Sequence, residues 1–307
     1  MANNAPDMAP MADDEAGVMG LTQVEPSPVE DTPNEYKDGY FPPAQSARAT
    51  TLGLGNHGPG YYRVSASTLV TRIQQYSSYA FTVFAAVHLT NTSLIPLLTR
   101  SVPEANRYLL LTRPYYQSAV AEPLLVALPL AAHIASGVAL RFYRRRHTLK
   151  RYGAETHTDR KTIPWPSLSG TSALGYALVP LAGFHVWTTR ILPPYMHGDN
   201  SMISLSYVSH GFALHPLVSF GGFVALVSVG TWHIVWGCAK WLGSTPAESP
   251  RHLTKKRRFY AINGLSLALT ALWLAGSLGI VGRGGKTGGW IGREFDELYN
   301  AMPLIRW

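Results

Sequence analysis

The sequence predicts an all-α membrane protein: five transmembrane helices, built as a duplicated two-helix unit plus one, behind a disordered N-terminal arm. Three observations lead there. Of 307 residues, 46% are hydrophobic and 14% are charged, against about 25% charged in ordinary soluble domains. The apolar residues gather in five long runs. The first four of those runs each hold one histidine, at intervals that repeat.

The runs cover 76–98, 123–140, 173–192, 211–239 and 259–281. Each is near or above the roughly 17–25 residues that cross a bilayer as a helix. Backbone groups in lipid must be satisfied within the segment, which selects helices. The second connection, 141–161, carries eight Lys/Arg, and the fourth, 240–258, carries six. The first and third hold Arg100, Arg107, Arg113 and Arg190. The positive-inside rule then puts the N-terminal side and the basic connections in the cytosol, and the C-terminus on the far face of the membrane. The chain divides into an acidic Pro-rich cytosolic arm and hinge (1–66), a transmembrane domain (67–282) and a C-terminal tail (283–307), whose Trp290, Phe295, Leu298 and Trp307 suit the membrane interface.

Residues 1–47 hold nine Asp/Glu and one Lys, whereas the rest of the chain carries 25 Lys/Arg and nine Asp/Glu. So acidic and Pro-rich a segment buries too little apolar surface to fold alone. No apolar secretory segment opens the chain, and Arg48 is the first Arg, so neither a secretory signal nor an Arg-rich presequence is expected. The net charge of +8 flanks membrane spans, so the expected partners are anionic phospholipid headgroups and not nucleic acid. The lone Cys238 allows no internal disulfide. "GRGGKTGG" lacks the first glycine of a phosphate loop, since Ile280 stands there, and "GLGNHGPG" lacks the strand and helix of a dinucleotide fingerprint. No catalytic constellation emerges, and the chain is read as a non-enzyme.

The intramembrane histidines are His88, His133, His185 and His233. His88 and His133 are 45 residues apart, and His185 and His233 are 48 apart; the two pairs are offset by 97 and 100 residues. His133 and His233 are each followed four residues later by a glycine, Gly137 and Gly237, on the same helical face. Ionisable groups inside a membrane usually face the bundle interior, and a neutral imidazole there is an axial ligand for haem b. His133 lies eight residues before Arg141, and His233 seven before Lys240. This matched depth of roughly 10–12 Å makes them the candidate axial pair, with the two glycines leaving room for a porphyrin. His88 and His185 match less well, at twelve residues before Arg100 and five before Arg190. The competing reading is that all four bond neighbouring helices and bind nothing. No metal is expected beyond haem iron.

The stretch "RIQQYSSYAFTVFAAVHL" with "HIASGVALR" resembles the first two spans of the cytochrome b anchors of succinate dehydrogenase and fumarate reductase, and that resemblance implies a haem ligand at His133. The acidic arm joined to a duplicated five-span domain is similar to the fungal mitochondrial outer-membrane adaptor family. This implies recruitment of a bridge-like, chorein-type lipid-transfer protein of vacuolar sorting to membrane contact sites, and a part in lipid homeostasis. The family recruits through a Pro-x-Pro motif with aliphatic residues upstream, and "LTQVEPSPVE" matches it with Leu21, Val24, Pro26 and Pro28. Prolines pre-set an extended backbone and lower the ordering cost of binding. The first span is also dense in polar groups, at Thr82, His88, Thr90, Asn91, Thr92 and Ser93, a candidate seam for phospholipid scrambling. The alternative reading is a b-type haem membrane cytochrome with a redox role.

Overall fold

The computed structural model describes residues 65–302, and all regular structure among them is helical. The arm, with Leu21, Val24, Pro26 and Pro28, lies outside the described residues, as does Trp307. Ser65 caps helix α1 (Ala66–Leu89) by accepting from the Thr68 N–H at 3.2 Å. One π-helical turn, Thr90–Leu94, carries α1 into α2 (Ile95–Thr99). Next come α3 (Val102–Tyr116), a second π turn at Pro123–Ala127, and α4 (Leu128–Arg151). A short α5 (His157–Thr162) crosses the basic connection. Then α6 (Gly170–Val186) passes through a π turn, Trp187–Ile191, into α7 (Leu192–His197). The chain finishes with α8 (Leu205–Leu214), α9 (Pro216–Trp241), α10 (His252–Gly284) and α11 (Gly289–Asn300).

Four helical stretches are long and apolar enough to cross a membrane: Ala66–Thr99, Pro123–Arg151, Pro216–Glu248 and His252–Gly284. The third expected run forms α6 and its continuation, but Thr171, Ser172, Gly175, Gly183 and His185 make it less apolar. The fourth run begins later than expected. Residues 211–214 belong to α8, and the helix breaks at His215 (φ −131°, ψ 68°). Pro216 causes this, because its ring disfavours the helical conformation in the residue before it.

The duplication is visible in backbone detail. The π turns at Thr90 and Trp187 start 97 residues apart, the offset of His88 and His185. Each is followed by a buried proline, Pro96 or Pro193. Each continuation then ends on a left-handed residue, Arg100 (φ 52°) or Gly198 (φ 87°), and a serine, Ser101 or Ser204, caps the next helix. Proline has no N–H for the helical ladder, and a π turn is one way to absorb the misfit. The carbonyls left over find other donors: Ser277 donates to Thr92 O at 3.0 Å, and Tyr207 Oη donates to Thr188 O at 3.0 Å.

Close packing lies within each hairpin, α1 against α4 and α6 against α9, while α10 closes over the first π turn, α2, α8 and α9. Helices of opposite hairpins are not closely packed. This arrangement corrects the polar seam expected along the first span. Ser93, fully buried, donates to the Leu272 and Trp273 carbonyls of α10. Asn91, also buried, donates to Thr112 Oγ1 at 3.0 Å. Thr82, Thr90 and Thr92 bond carbonyls of their own helix. Asn91 and Ser93 thus tie the first span to its neighbours, while the three threonines are spent within it.

The C-terminal tail is corrected too. Helix α11 turns Phe295, Leu298 and Tyr299 inward, onto Leu192, Ile203 and Tyr207. Phe295 and Leu298 are therefore core residues of the protein, whereas Trp290 remains exposed. The helix is held by His210, which is fully buried. Its Nδ1 accepts from the Thr287 N–H at 3.1 Å, so its Nε2 carries the proton donated to Asp296 at 2.9 Å.

Candidate functional site

The four intramembrane histidines meet in two pairs across the gap between the hairpins. His133 of α4 faces His233 of α9 with ring centres 6.0 Å apart, and His88 of α1 faces His185 of α6, also at 6.0 Å. The first pair is the one that matched depth favours. The second forms as well, although its depths seemed unequal. Arg100 and Arg190 are not equivalent depth marks: Arg100 ends α2 beyond the π turn, whereas Arg190 lies inside a π turn and pairs with Glu122.

Each ring of the first pair is held from behind. His133 Nδ1 lies 3.2 Å from Gln74 O, and His233 Nδ1 lies 3.0 Å from Thr171 O. A carbonyl only accepts, so Nδ1 carries the proton in both and Nε2 keeps its lone pair. This is the arrangement that orients metal-ligating histidines. Gln74 and Thr171 are again 97 residues apart, and each stands fourteen residues before the one histidine of its helix, His88 or His185. At ~1.5 Å per residue the two pairs are stacked ~21 Å apart along the bundle.

Gly175 was not legible as a site residue. The His233 ring lies against it, and a Cβ there would come within 2.9 Å of Cε1. Gly137 does not border the gap as expected: a Cβ on it would meet Gln74 Nε2 at 3.2 Å, so it faces α1 of its own hairpin. Gly237 has open space where a Cβ would stand.

Around the second pair, Phe84 stacks on His88 (5.7 Å) and meets Tyr116 edge-on (5.6 Å). The mouth beyond holds the Arg190–Glu122 ion pair, which ties the two hairpins together, and Arg113, which donates to the carbonyls of Ile203 and Asn200. Burial lowers the pKa of Arg113, and nearby Arg190 adds to that. At the other mouth Arg141 and Arg145 cover Trp165 at 5.6 and 5.1 Å. Arg145 also donates to the Ile163 and Pro164 carbonyls at 2.8 Å. Part of the basic connection is therefore structural. Away from the gap, ligand atoms of His197, Glu294 and Glu297 lie within 4.8 Å of one another where α7 meets α11.

The paired rings fit a haem iron. His133 and His233, with ring centres 6.0 Å apart and an Nε2 lone pair on each, would be the residues that hold it. The chemistry such a group supplies is one-electron exchange at an iron tuned by its axial ligands. The chain's part is to fix the ring tautomers and keep water out.

No curated protein and no solved structure matches the chain. Residues 180–286 match the family model described as MDM10-complementing protein 1, transmembrane domain. The matched stretch runs from within α6 through α10, and so takes in His185, His233 and the last long helix. It supports the adaptor resemblance read from the sequence: over these residues this multi-pass membrane chain is similar to the transmembrane domain of that family.

Proposed function

We propose that the chain is a mitochondrial outer-membrane adaptor, with a cytosolic N-terminus and a C-terminus in the intermembrane space. Its arm captures a bridge-like lipid-transfer protein through Leu21, Val24, Pro26 and Pro28, and its helical bundle anchors the assembly at a membrane contact site. The observation that carries the reading is the family match over residues 180–286, in a chain whose first half repeats the matched architecture. The test is to express the full chain in cells with a tagged lipid-transfer protein and follow the tag by microscopy. Its accumulation on mitochondria, lost with the arm motif, supports the reading. A distribution indifferent to the chain refutes it.

Phospholipid scrambling belongs to the same reading in a narrower form. A headgroup needs a polar path to avoid the desolvation cost of hydrocarbon. The hydroxyls of the first span are taken up in packing, so the path left among the described residues is the gap between the hairpins. A second reading, a haem-bearing bundle, rests on the facing His133 and His233 rings with their Nδ1 protons held by backbone carbonyls. The two uses of the gap exclude one another, and we assign scrambling to the haem-free bundle.

A further inference from the structure

We propose that His197, Glu294 and Glu297 form a binding site for a divalent transition ion, zinc by the chemistry of the ligands, and that the ion fastens the C-terminal helix α11 to the end of α7. The site lies away from the gap between the hairpins, at the end of the bundle opposite the basic connections.

The fold brings together three residues that lie far apart in sequence. Leu192 of α7 belongs to one core cluster with Phe295 and Leu298 of α11. This docking sets His197, the last residue of α7, against the flank of α11 that carries Glu294 and Glu297. Gly198 (φ 87°) ends α7 there, with its N–H bonded to Pro194 O at 3.0 Å. His197 Nδ1 lies 3.2 Å from Glu294 Oε2, and one ligand atom from each of the three side chains lies within 4.8 Å of the others. Ligand atoms about 2.0–2.2 Å from a tetrahedral zinc stand near hydrogen-bonding distance from one another, as Nδ1 and Oε2 do. Glu297 is exposed, so its carboxylate can close on the ion without disturbing the core.

Three further observations point to a cation. Glu297 stands in the last turn of α11, which holds no basic residue and where the negative end of the helix disfavours an anion. Glu294 lies one turn earlier on the same face, so the two carboxylates repel one another. Among the described residues no Lys or Arg pairs with either, and Lys286 is directed to Asp296 instead. Second, His197 Nε2 is buried and has no hydrogen-bond partner among the described residues. The ring keeps Nδ1 on the carboxylates at the expense of a hydrogen bond, and such an orphaned atom in a native fold asks for a reason, of which a bound ion is one. Third, the turn itself does not require an imidazole. Its counterpart in the first half ends on Thr99 and left-handed Arg100 where this one has His197 and Gly198. One imidazole with two carboxylates suits zinc better than Mg²⁺ or Ca²⁺, which favour oxygen ligands throughout. Two carboxylates also balance the charge of the ion, and three protein ligands leave a fourth position for water.

The experiment is a zinc titration of the full chain, purified in mild detergent and stripped with a chelator, read by calorimetry and by hydrogen exchange. In excess Mg²⁺, the parent chain should bind Zn²⁺, and binding should slow exchange over residues 289–300. Loss of a residue that merely supports a ligand costs about 10–100-fold in metal affinity, so His197→Gln, Glu294→Gln and Glu297→Gln should each cost at least as much. His157→Ala, at an exposed histidine of the basic connection, and His133→Ala, in the gap, should leave the zinc-dependent protection unchanged. Glu297→Gln replaces an exposed side chain and spares the core, so its effect cannot be put down to misfolding. Absence of zinc-dependent protection over 289–300 in the parent chain, or protection that survives Glu294→Gln and Glu297→Gln, overturns the site. Displacement of zinc by Mg²⁺ would mean that carboxylates alone hold the ion, and overturns the part assigned to His197.

Discussion

Ser93 and Gly276 meet where the last long helix crosses the π turn of the first, so closely that a methyl group on Gly276 would overlap the Ser93 carbonyl and hydroxyl. The Ser93 hydroxyl bonds the Leu272 and Trp273 carbonyls from this position. Small residues allow such backbone approach in membrane helices, where packing replaces the hydrophobic effect as the driving force. Gly276→Ala should destabilise the bundle by about 1–3 kcal/mol through overpacking. Gly282→Ala, on the same helix with open space around it, should change little. Thermal unfolding in detergent compares the two directly, and equal midpoints would show that α10 does not depend on this contact.

Gly175 sets the position of the His233 ring. A methyl group 2.9 Å from Cε1 must push the imidazole away from the carbonyl of Thr171. Under the haem-bearing reading, Gly175→Ala should therefore reduce haem held between His133 and His233. Gly183→Ala, where nothing lies within 4 Å, should leave it unchanged. The absorbance of each variant, normalised to protein, is the measurement.

His210 fastens the C-terminal helix. Replacing it with Ala leaves the Thr287 N–H without its acceptor and Asp296 without its donor, and should cost about 1–3 kcal/mol. The loss should be local. Hydrogen exchange should accelerate over residues 289–300 while the long helices stay protected. Unchanged exchange there would mean that packing of Phe295, Leu298 and Tyr299 alone holds α11.

In the arm, Pro26→Ala with Pro28→Ala should abolish recruitment of the lipid-transfer protein and leave the chain in its membrane. Microscopy of the tagged partner reads the first effect, and carbonate extraction reads the second. Recruitment at the parent level in the double variant would move the binding determinant elsewhere.

For lipid movement, liposomes carrying a fluorescent phospholipid are treated with an impermeant quencher. The haem-free chain should raise the quenched fraction well above the half seen in protein-free vesicles, and added haemin should return it towards half. A fraction near half in both states would make the bundle an anchor only.

The amino-acid sequence by itself determined the class of protein and its internal repeat. Long uncharged runs have no other stable place than lipid, and the offset of 97 residues between His88 and His185 survives in the π turns, the buried prolines and the carbonyls behind His133 and His233. These features are written in local chemistry: apolar length, a missing proline N–H, an imidazole. Sequence spacing also paired His133 with His233, because both lie at similar depth below basic helix ends. The tertiary structure decided what depends on which faces meet. Depth marks could not pair His88 with His185, since Arg190 is drawn into a π turn and held by Glu122, 68 residues away. The hydroxyls of the first span looked like a path for headgroups until α10 packed against them. Phe295 and Leu298 looked interfacial until His210 drew their helix onto α8. In each case a polar or apolar side chain has two environments of comparable free energy, lipid or a neighbouring helix, and only the packing of distant segments selects between them.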